Sequence, residues 1–249
     1  MKTKRSGLTV IEILVVVGII AILVGLLLPA VHKVQKMAKD TKQRAQFTAI
    51  ELGLAAFKHD YGDYPSSFWY DPSTPGKTTQ TYCGAQKLAE ALLGWDLLGF
   101  HPDSAWRSDG RDENGTMGTV YEASDTLKHR KDRYIELETA NAFLLGGGQD
   151  ALFPGDVSPL ASRTYVLCDV FGRNERRIQL GDNRVKMVTP GSPILYYRAN
   201  PSNLVHLPPD LQHTSSAIYD ARDNAPIVNL GWLGDATKAR RTLGWQPKV

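Results

Sequence analysis

An uninterrupted apolar run near the amino terminus is the strongest pattern in this chain. From Leu8 to Val31 it contains one ionisable residue, Glu12. A helix of about twenty apolar residues is long enough to cross the hydrocarbon core of a bilayer. Basic residues stand on both sides of the run, at Lys2, Lys4 and Arg5 and then at Lys33, Lys36, Lys39 and Lys42. The pattern predicts a transmembrane helix over residues 8–31, with a carboxylate where membrane insertion does not require one.

Past residue 31 the same helix is predicted to continue in amphipathic form. Apolar residues recur three and four positions apart, which places them on one helical face: Phe47, Ile50, Leu54, Phe57 and Tyr61. Arg44 and Gln46 belong to the opposite, polar side with the lysines. We expect one helix over residues 8–60, ended by the glycine and proline that follow it. Pro29 should kink this helix, because proline removes a backbone hydrogen bond.

The remaining residues, 61–249, are predicted to form an α+β domain. A helix is expected over residues 84–98. Alternating or β-branched residues predict strands at 133–138, 163–168 and 193–198, and a hairpin at 177–189 that turns at Asp182-Asn183. The expected fold class is α+β, with the long helix packed on an antiparallel sheet.

The amino terminus allows three interpretations. A cleaved secretory signal fits the charged start, but the run is long and Leu28 stands where a small residue should precede Pro29-Ala30. A plain signal anchor explains the length and the charges but not Gly7 and Glu12. The third interpretation is a resemblance: Gly7-Leu8-Thr9-Val10-Ile11-Glu12 and the apolar residues after it strongly resemble the class III signal of type IV pilins and type II secretion pseudopilins.

The resemblance implies a pilin-like fold and a processing event. A prepilin peptidase would cleave after Gly7, which makes residues 1–7 a leader, and would methylate the new amino terminus at Leu8, where the family usually has phenylalanine. Glu12 would then meet the terminal amine of a neighbouring subunit during assembly, and pairing would spare two charges from standing alone in apolar surroundings. The alternative is that Glu12 only reaches to the membrane interface.

Two further stretches support the secretion branch of this family. Residues 54–65 resemble the end of the first helix in major pseudopilins, where an aromatic residue, Asp, Gly and Tyr-Pro close the helix. Asp169-Val-Phe-Gly172 and 193–197 look like two halves of a phrase that pseudopilins often carry. In this chain an insertion that contains the predicted hairpin separates them.

Charge and cysteine content add two expectations. The formal charge is +3, from 29 basic and 26 acidic residues, and the three basic residues of the leader account for all of it. Nucleic acid is therefore not an expected partner, and the cluster Lys238, Arg240 and Arg241 is interpreted as a solvated face. An oxidising compartment would permit a disulfide between Cys83 and Cys168, contributing about 2–4 kcal/mol. Two free thiols are the open alternative.

No residue set carries an enzymatic or metal-site signature. The six histidines are scattered, and residues 146–148 lack the Lys-Ser/Thr of a phosphate loop. Residues 109–115 have oxygen-rich side chains but not EF-hand spacing, and Arg111 lies among them. They are interpreted as a solvated acidic loop, with calcium binding as the alternative. We expect no catalytic activity, no metal and no cofactor.

The resemblance implies a structural subunit of a type II secretion pseudopilus. Such a subunit spans the inner membrane once, with its amino terminus cytoplasmic and its carboxy-terminal domain periplasmic. An assembly platform would draw it from the lipid bilayer into a periplasmic filament with copies of itself and other pilin-like subunits. The alternatives are a type IV pilin for adhesion, motility or DNA uptake, and a membrane-tethered enzyme or carbohydrate-binding module. In the last case Phe68, Trp69, Tyr70 and Trp106 would form a sugar platform instead of packing in the core.

Overall fold

The computed structural model describes residues 9–68, 82–112, 120–121, 126–146, 151–152, 164–172, 175–179, 185–202 and 218–228. The predictions for Gly7, Leu8, Trp69, Tyr70 and the basic cluster at 238–241 lie outside these residues. The chain divides into two compact units, Met1–Arg44 and Ala45–Val249.

Helix α1 comprises Val10–Tyr61 and continues through Pro29. It ends at Gly62, whose φ of 82° lies in the left-handed region and whose N–H donates to the Lys58 carbonyl oxygen at 2.8 Å. Glycine adopts this conformation at little cost, so it is a common helix terminator. The prediction of one long amino-terminal helix is therefore confirmed, with its end one residue later than expected.

The carboxy-terminal part of α1 packs most of the predicted face: Ile50 and Phe57 are buried, and Leu54 and Tyr61 pack against the core. Phe47 and Gln46 are the exceptions. Its buried residues are Gln46, Ile50, Gly53 and Phe57. Phe47 is 45% exposed, while Gln46 is 1% exposed. The sequence pattern assigned these two neighbours to the wrong sides because it ranks residues by hydrophobicity alone. The Gln46 amide is buried because it has two hydrogen-bond acceptors in the body of the unit.

Helix α2, Gly84–Leu93, lies at the centre of the second unit, and all ten of its residues are buried. The Gln86 side-chain oxygen accepts a hydrogen bond from the Cys83 N–H at 2.7 Å and so caps its first turn. The helix ends five residues before the predicted position because Gly94 takes a φ of 88°. Its apolar residues form a core with residues of α1 and of the sheet: Ile50, Leu88, Leu92, Leu93, Ile135, Ala140 and Leu167.

The strands form two separate antiparallel pairs. Strand β1 (Ala142–Leu144) pairs with β2 (Tyr165–Leu167), with Phe143 opposite Val166. Strand β3 (Arg176–Gln179) pairs with β4 (Val185–Val188), as the hairpin prediction required. Short helical segments complete the described elements: Leu127–His129, Leu137–Ala140, Ala221–Asn224 and Ala225–Val228. A long helix followed by small antiparallel sheets confirms the α+β class.

Two predicted strands are wrong. Residues 133–138 form a turn that leads into the helical segment Leu137–Ala140, and the Tyr134 N–H donates to the Leu92 carbonyl oxygen at 2.9 Å. Residues 193–198 make one isolated bridge, between Pro193 and Cys168. Further along this segment, side chains take the backbone groups that a strand would pair: Asn224 donates to the Tyr196 carbonyl oxygen at 2.6 Å, and Ser67 accepts from the Arg198 N–H at 2.9 Å.

Two glycines, Gly172 and Gly191, allow the two ends of the segment that contains β3 and β4 to lie in close contact. A Cβ atom on Gly172 would lie 2.3 Å from the Thr189 carbonyl oxygen, and one on Gly191 would lie 2.2 Å from that of Asp169. The Asp169 N–H also donates to the Ser192 carbonyl oxygen at 2.9 Å. Residues 169–172 and 189–192, which precede β3 and follow β4, are therefore in contact.

Candidate functional site: the first turns of the amino-terminal helix

The first unit presents an apolar surface that the chain itself leaves uncovered. Between Val10 and Val31 every large apolar side chain is exposed, at 40–82% of its full area. One 18-residue window of α1 has a mean hydropathy of 3.1, and α1 is the helix, among the described residues, that is long and apolar enough to cross a membrane. Soluble proteins rarely expose a continuous apolar patch of more than a few hundred Å². This surface therefore needs lipid or other helices to cover it.

Glu12 and Thr9 form a reciprocal cap at the start of this surface. The Glu12 Oε2 atom accepts from the Thr9 backbone N–H at 2.7 Å and from its hydroxyl at 2.8 Å. The Thr9 Oγ1 atom in turn accepts from the Glu12 N–H at 3.4 Å. A helix needs such partners because its first four N–H groups have none within the helix. The arrangement is a capping box, which the spacing Thr-x-x-Glu could have predicted.

The cap fixes the position of the Glu12 carboxylate but uses only one of its two oxygens. Both Thr9 bonds converge on Oε2, and among the described residues Thr9 alone donates to this carboxylate. Glu12 also lies in the first turn, where the helix dipole favours a negative charge. The geometry leaves one carboxylate oxygen available to a donor from another molecule, at the end of the helix next to the predicted cleavage position.

The two cysteines are buried free thiols in the second unit. Burial raises the pKa of the Cys83 thiol to about 12 and that of the Cys168 thiol well above its ordinary value. The structure thus corresponds to two free thiols, which the sequence left open as the alternative to a disulfide.

The structure describes residues 109–112 of the acidic loop, where Asp109 is bound by arginine. Asp109 accepts from Arg107 Nε at 3.0 Å and from Arg107 Nη2 at 2.8 Å, and it also accepts from the Arg111 N–H at 3.2 Å. Over the described residues no group of three or more His, Cys, Asp or Glu side chains could hold a metal ion.

Of the aromatic residues considered as a sugar platform, the structure describes Phe68 and Trp106. Trp106 packs against Phe57 and Phe100, with ring centroids 6.2 and 5.1 Å apart, and so belongs to a core cluster. Phe68 is 53% exposed. For Trp106 the packing interpretation therefore replaces the sugar-binding one.

A buried polar network around α2 was not predicted. The Glu90 carboxylate accepts from the hydroxyls of Tyr82, Ser104 and Tyr121, the last at 2.7 Å. Lys87, which is also buried, donates to the Phe68 carbonyl oxygen at 2.7 Å. Burial raises the pKa of Glu90, and its hydroxyl donors and Lys87 offset part of that rise. Sequence periodicity misses such groups because their partners lie outside the helix, up to 31 residues away in sequence.

These features describe a class of protein: an α+β domain carried on a helix with membrane-type composition and a carboxylate in its first turn. Comparison with known proteins finds one that is similar in sequence to part of this chain. The chain is 39% identical over 66 residues to "Type II secretion system core protein G" of Pseudomonas aeruginosa strain PAO1. The match covers 26% of this chain and 46% of that protein, so the chain spans just under half of the relative's length. No family model matches, and no solved structure matches.

Proposed function

We propose that this protein is a structural, non-enzymatic subunit of a pseudopilus in a type II secretion system. Before assembly α1 crosses the inner membrane once, with its amino terminus in the cytoplasm and residues 61–249 in the periplasm. The observation that carries the proposal is the exposed apolar surface of Val10–Val31 with a capped carboxylate at its start. The partial likeness to a secretion core protein supports the secretion branch over adhesion, motility or DNA uptake.

Assembly would exchange lipid contacts of α1 for contacts with other helices. A large apolar side chain contributes about 1.5–3 kcal/mol when it is moved fully from water into an apolar environment. Lipid already supplies most of this stabilisation, so the gain between membrane and filament comes from packing and from polar contacts. The polar group that this surface offers is Glu12.

Glu12 would supply the specific contact in this exchange. Prepilin peptidase would cleave after Gly7 and methylate Leu8, which creates a cationic amine at the end of the helix. A neighbouring subunit, either a copy of this chain or another pilin-like protein, would bring its amine to the Glu12 carboxylate. Leaving either charge unpaired in an apolar bundle is costly, so the pair would set the axial register between subunits.

Mass spectrometry of the membrane-extracted protein tests the processing step. The expected mature terminus is N-methylated Leu8. A terminus at Met1, or one near Val31 that would indicate a secretory signal peptidase, would contradict the proposal.

Three substitutions separate the charge of Glu12 from its capping role. Glu12→Gln keeps an oxygen that can accept from Thr9 but removes the charge. Thr9→Val keeps the charge but removes the hydroxyl of the cap. Glu12→Ala removes both the charge and the cap.

All three variants should insert into the membrane, as measured by carbonate extraction. Cross-linking into filaments should be lost in both Glu12 variants and retained in Thr9→Val. Normal filament incorporation of Glu12→Gln would show that Glu12 acts as a cap and not as a charge partner.

A further inference from the structure

A groove in the second unit lies beside the carboxy-terminal turns of α1. It has a volume of about 590 Å³. One wall comes from α1 through Glu51, Leu54 and Lys58, which are three and four residues apart and therefore share a helix face. The other wall comes from the extended segment 196–201 together with Tyr219. The α1 wall extends over residues 51–58, or roughly 10 Å at the helical rise.

Tyrosine rings dominate the lining. Tyr64 and Tyr219 are 42% and 43% exposed, while Tyr196 and Tyr197 are half-buried. The Tyr196 hydroxyl donates to the Pro65 carbonyl oxygen at 2.9 Å, which fixes its ring. Tyr197 and Tyr219 meet edge to face, with ring centroids 6.5 Å apart. The groove thus offers flat apolar ring faces held in place by their neighbours.

The charges of the groove balance. Its lining contains two basic residues, Lys58 and Arg198, and two acidic residues, Glu51 and Asp63. Arg198 forms an ion pair with Asp63, and the Lys58 ammonium lies 4.5 Å from the centroid of the Tyr64 ring. A groove without net charge gives no electrostatic preference for an anionic or a cationic ligand.

The polar groups include both donors and acceptors. Carboxylates only accept hydrogen bonds, whereas the lysine and arginine groups only donate them. A ligand that matches this set must carry donors and acceptors of its own, next to flat apolar faces that can stack on tyrosine rings. Neutral saccharides have this combination, because their hydroxyls donate and accept and their C–H faces are apolar.

We propose that this groove is a binding site for a neutral oligosaccharide. A proline-rich peptide is the main competing ligand for an aromatic-lined groove. It fits less well because proline has no N–H, so such a peptide offers few donors for the Glu51 carboxylate. The site would bring the carboxy-terminal domain into contact with glycans wherever that domain is displayed, and it does not require filament assembly.

Binding is measured on the full chain in dodecylphosphocholine micelles, which avoid detergents with sugar headgroups. The probes are cellotetraose, chitotetraose, maltotetraose and xylotetraose at millimolar concentration, followed by saturation-transfer NMR and fluorescence titration. At least one probe should bind, with an affinity that changes little with salt because the ligand is neutral. Failure of all four probes, or binding of decaproline in their place, would overturn the proposal.

Matched variants locate the binding. Tyr219→Ala should weaken binding roughly tenfold through loss of a stacking surface, and Glu51→Gln should weaken it several-fold while keeping the shape of the groove. Phe171→Ala is the control, because Phe171 is an aromatic residue of similar exposure (41%) that does not line the groove. Near-ultraviolet circular dichroism verifies that each variant is folded. Equal affinity in Tyr219→Ala and Phe171→Ala would place the binding elsewhere and refute the assignment.

Discussion

Gln46 provides a sharp test of how α1 is attached to the body of the second unit. Its side-chain nitrogen donates to the carbonyl oxygens of Ala140 and Cys168, both at 2.9 Å. One side chain therefore connects the helix to two segments that are about a hundred residues away in sequence. We predict that Gln46→Met destabilises the folded unit even though methionine has similar size and good helix propensity.

The size of the expected destabilisation depends on whether each of the two carbonyl oxygens keeps another hydrogen-bond donor. The Cys168 carbonyl oxygen keeps a second donor, the Asn141 amide, at 2.9 Å. Loss of the hydrogen bond from Gln46 to Cys168 should therefore cost only the usual net value of a hydrogen bond, about 0.5–1.5 kcal/mol. The Ala140 carbonyl oxygen is left without its side-chain donor, and an unsatisfied buried carbonyl costs about 1–3 kcal/mol. The expected loss is roughly 2–4 kcal/mol in the free energy of unfolding.

Gln46→Glu adds a pH signature. The new carboxylate would place an oxygen against two carbonyl oxygens in place of an amide donor, so burial and this repulsion should raise its pKa above the ordinary glutamate value of about 4.3. The folded state then holds a proton that the unfolded chain has released. Stability of this variant should therefore fall as pH rises from the unfolded pKa through the folded pKa, more steeply than that of the unsubstituted chain.

Chemical unfolding of the full chain in micelles, followed by tryptophan fluorescence, measures these differences. Phe47→Ala is the matched control, because this neighbouring side chain is 45% exposed and should cost far less than a buried phenylalanine, which typically costs about 3–5 kcal/mol. The hydrophobic pattern alone predicts the opposite order. A Phe47→Ala loss larger than that of Gln46→Met would refute the reasoning.

Two further predictions concern buried titratable groups. Because burial raises the pKa of Glu90, the stability of the unsubstituted chain should fall as pH rises from the unfolded to the folded pKa of this group, and Glu90→Gln should flatten that dependence in denaturant titrations. Cys83 and Cys168 should resist iodoacetamide in the folded protein and should both react in denaturant without a reductant; mass spectrometry counts the adducts, and a linked pair that needs reduction would contradict the free-thiol state.

The elements that the sequence predicts well are those specified by neighbouring residues. A long apolar run, a Gly-Pro stop and the composition of two β-rich segments each act within a few positions. The predicted Asp182-Asn183 turn lies outside the described residues. Helix α1 and the β3–β4 hairpin were accordingly placed within a residue or two of their observed limits. The early end of α2 is a partial exception, because Gly94 was available as a stop signal in the sequence.

The elements that the sequence misplaces depend on distant partners. Residues 133–138 alternate like a strand, yet their backbone is held by the Leu92 carbonyl oxygen of α2. Segment 193–198 has strand composition, but Ser67 and Asn224 take the backbone groups of Arg198 and Tyr196. No local pattern reports such competition, because each partner is encoded far away in the chain.

At the amino terminus the sequence pattern assigns Glu12 one role, in assembly, whereas the structure shows a second one, as the cap of its own helix. Glu12 already has a partner in Thr9 within its own chain. If a neighbouring amine binds the carboxylate, the contribution of Glu12 to assembly is the free-energy difference between the capped state and the paired state. The Thr9 bonds use one oxygen, so a second donor can be added to the other without breaking the cap. A rigid, capped carboxylate also loses less conformational freedom on pairing than a mobile one. The cap and the proposed charge pair are therefore compatible, and the cap lowers the entropic cost of forming the pair.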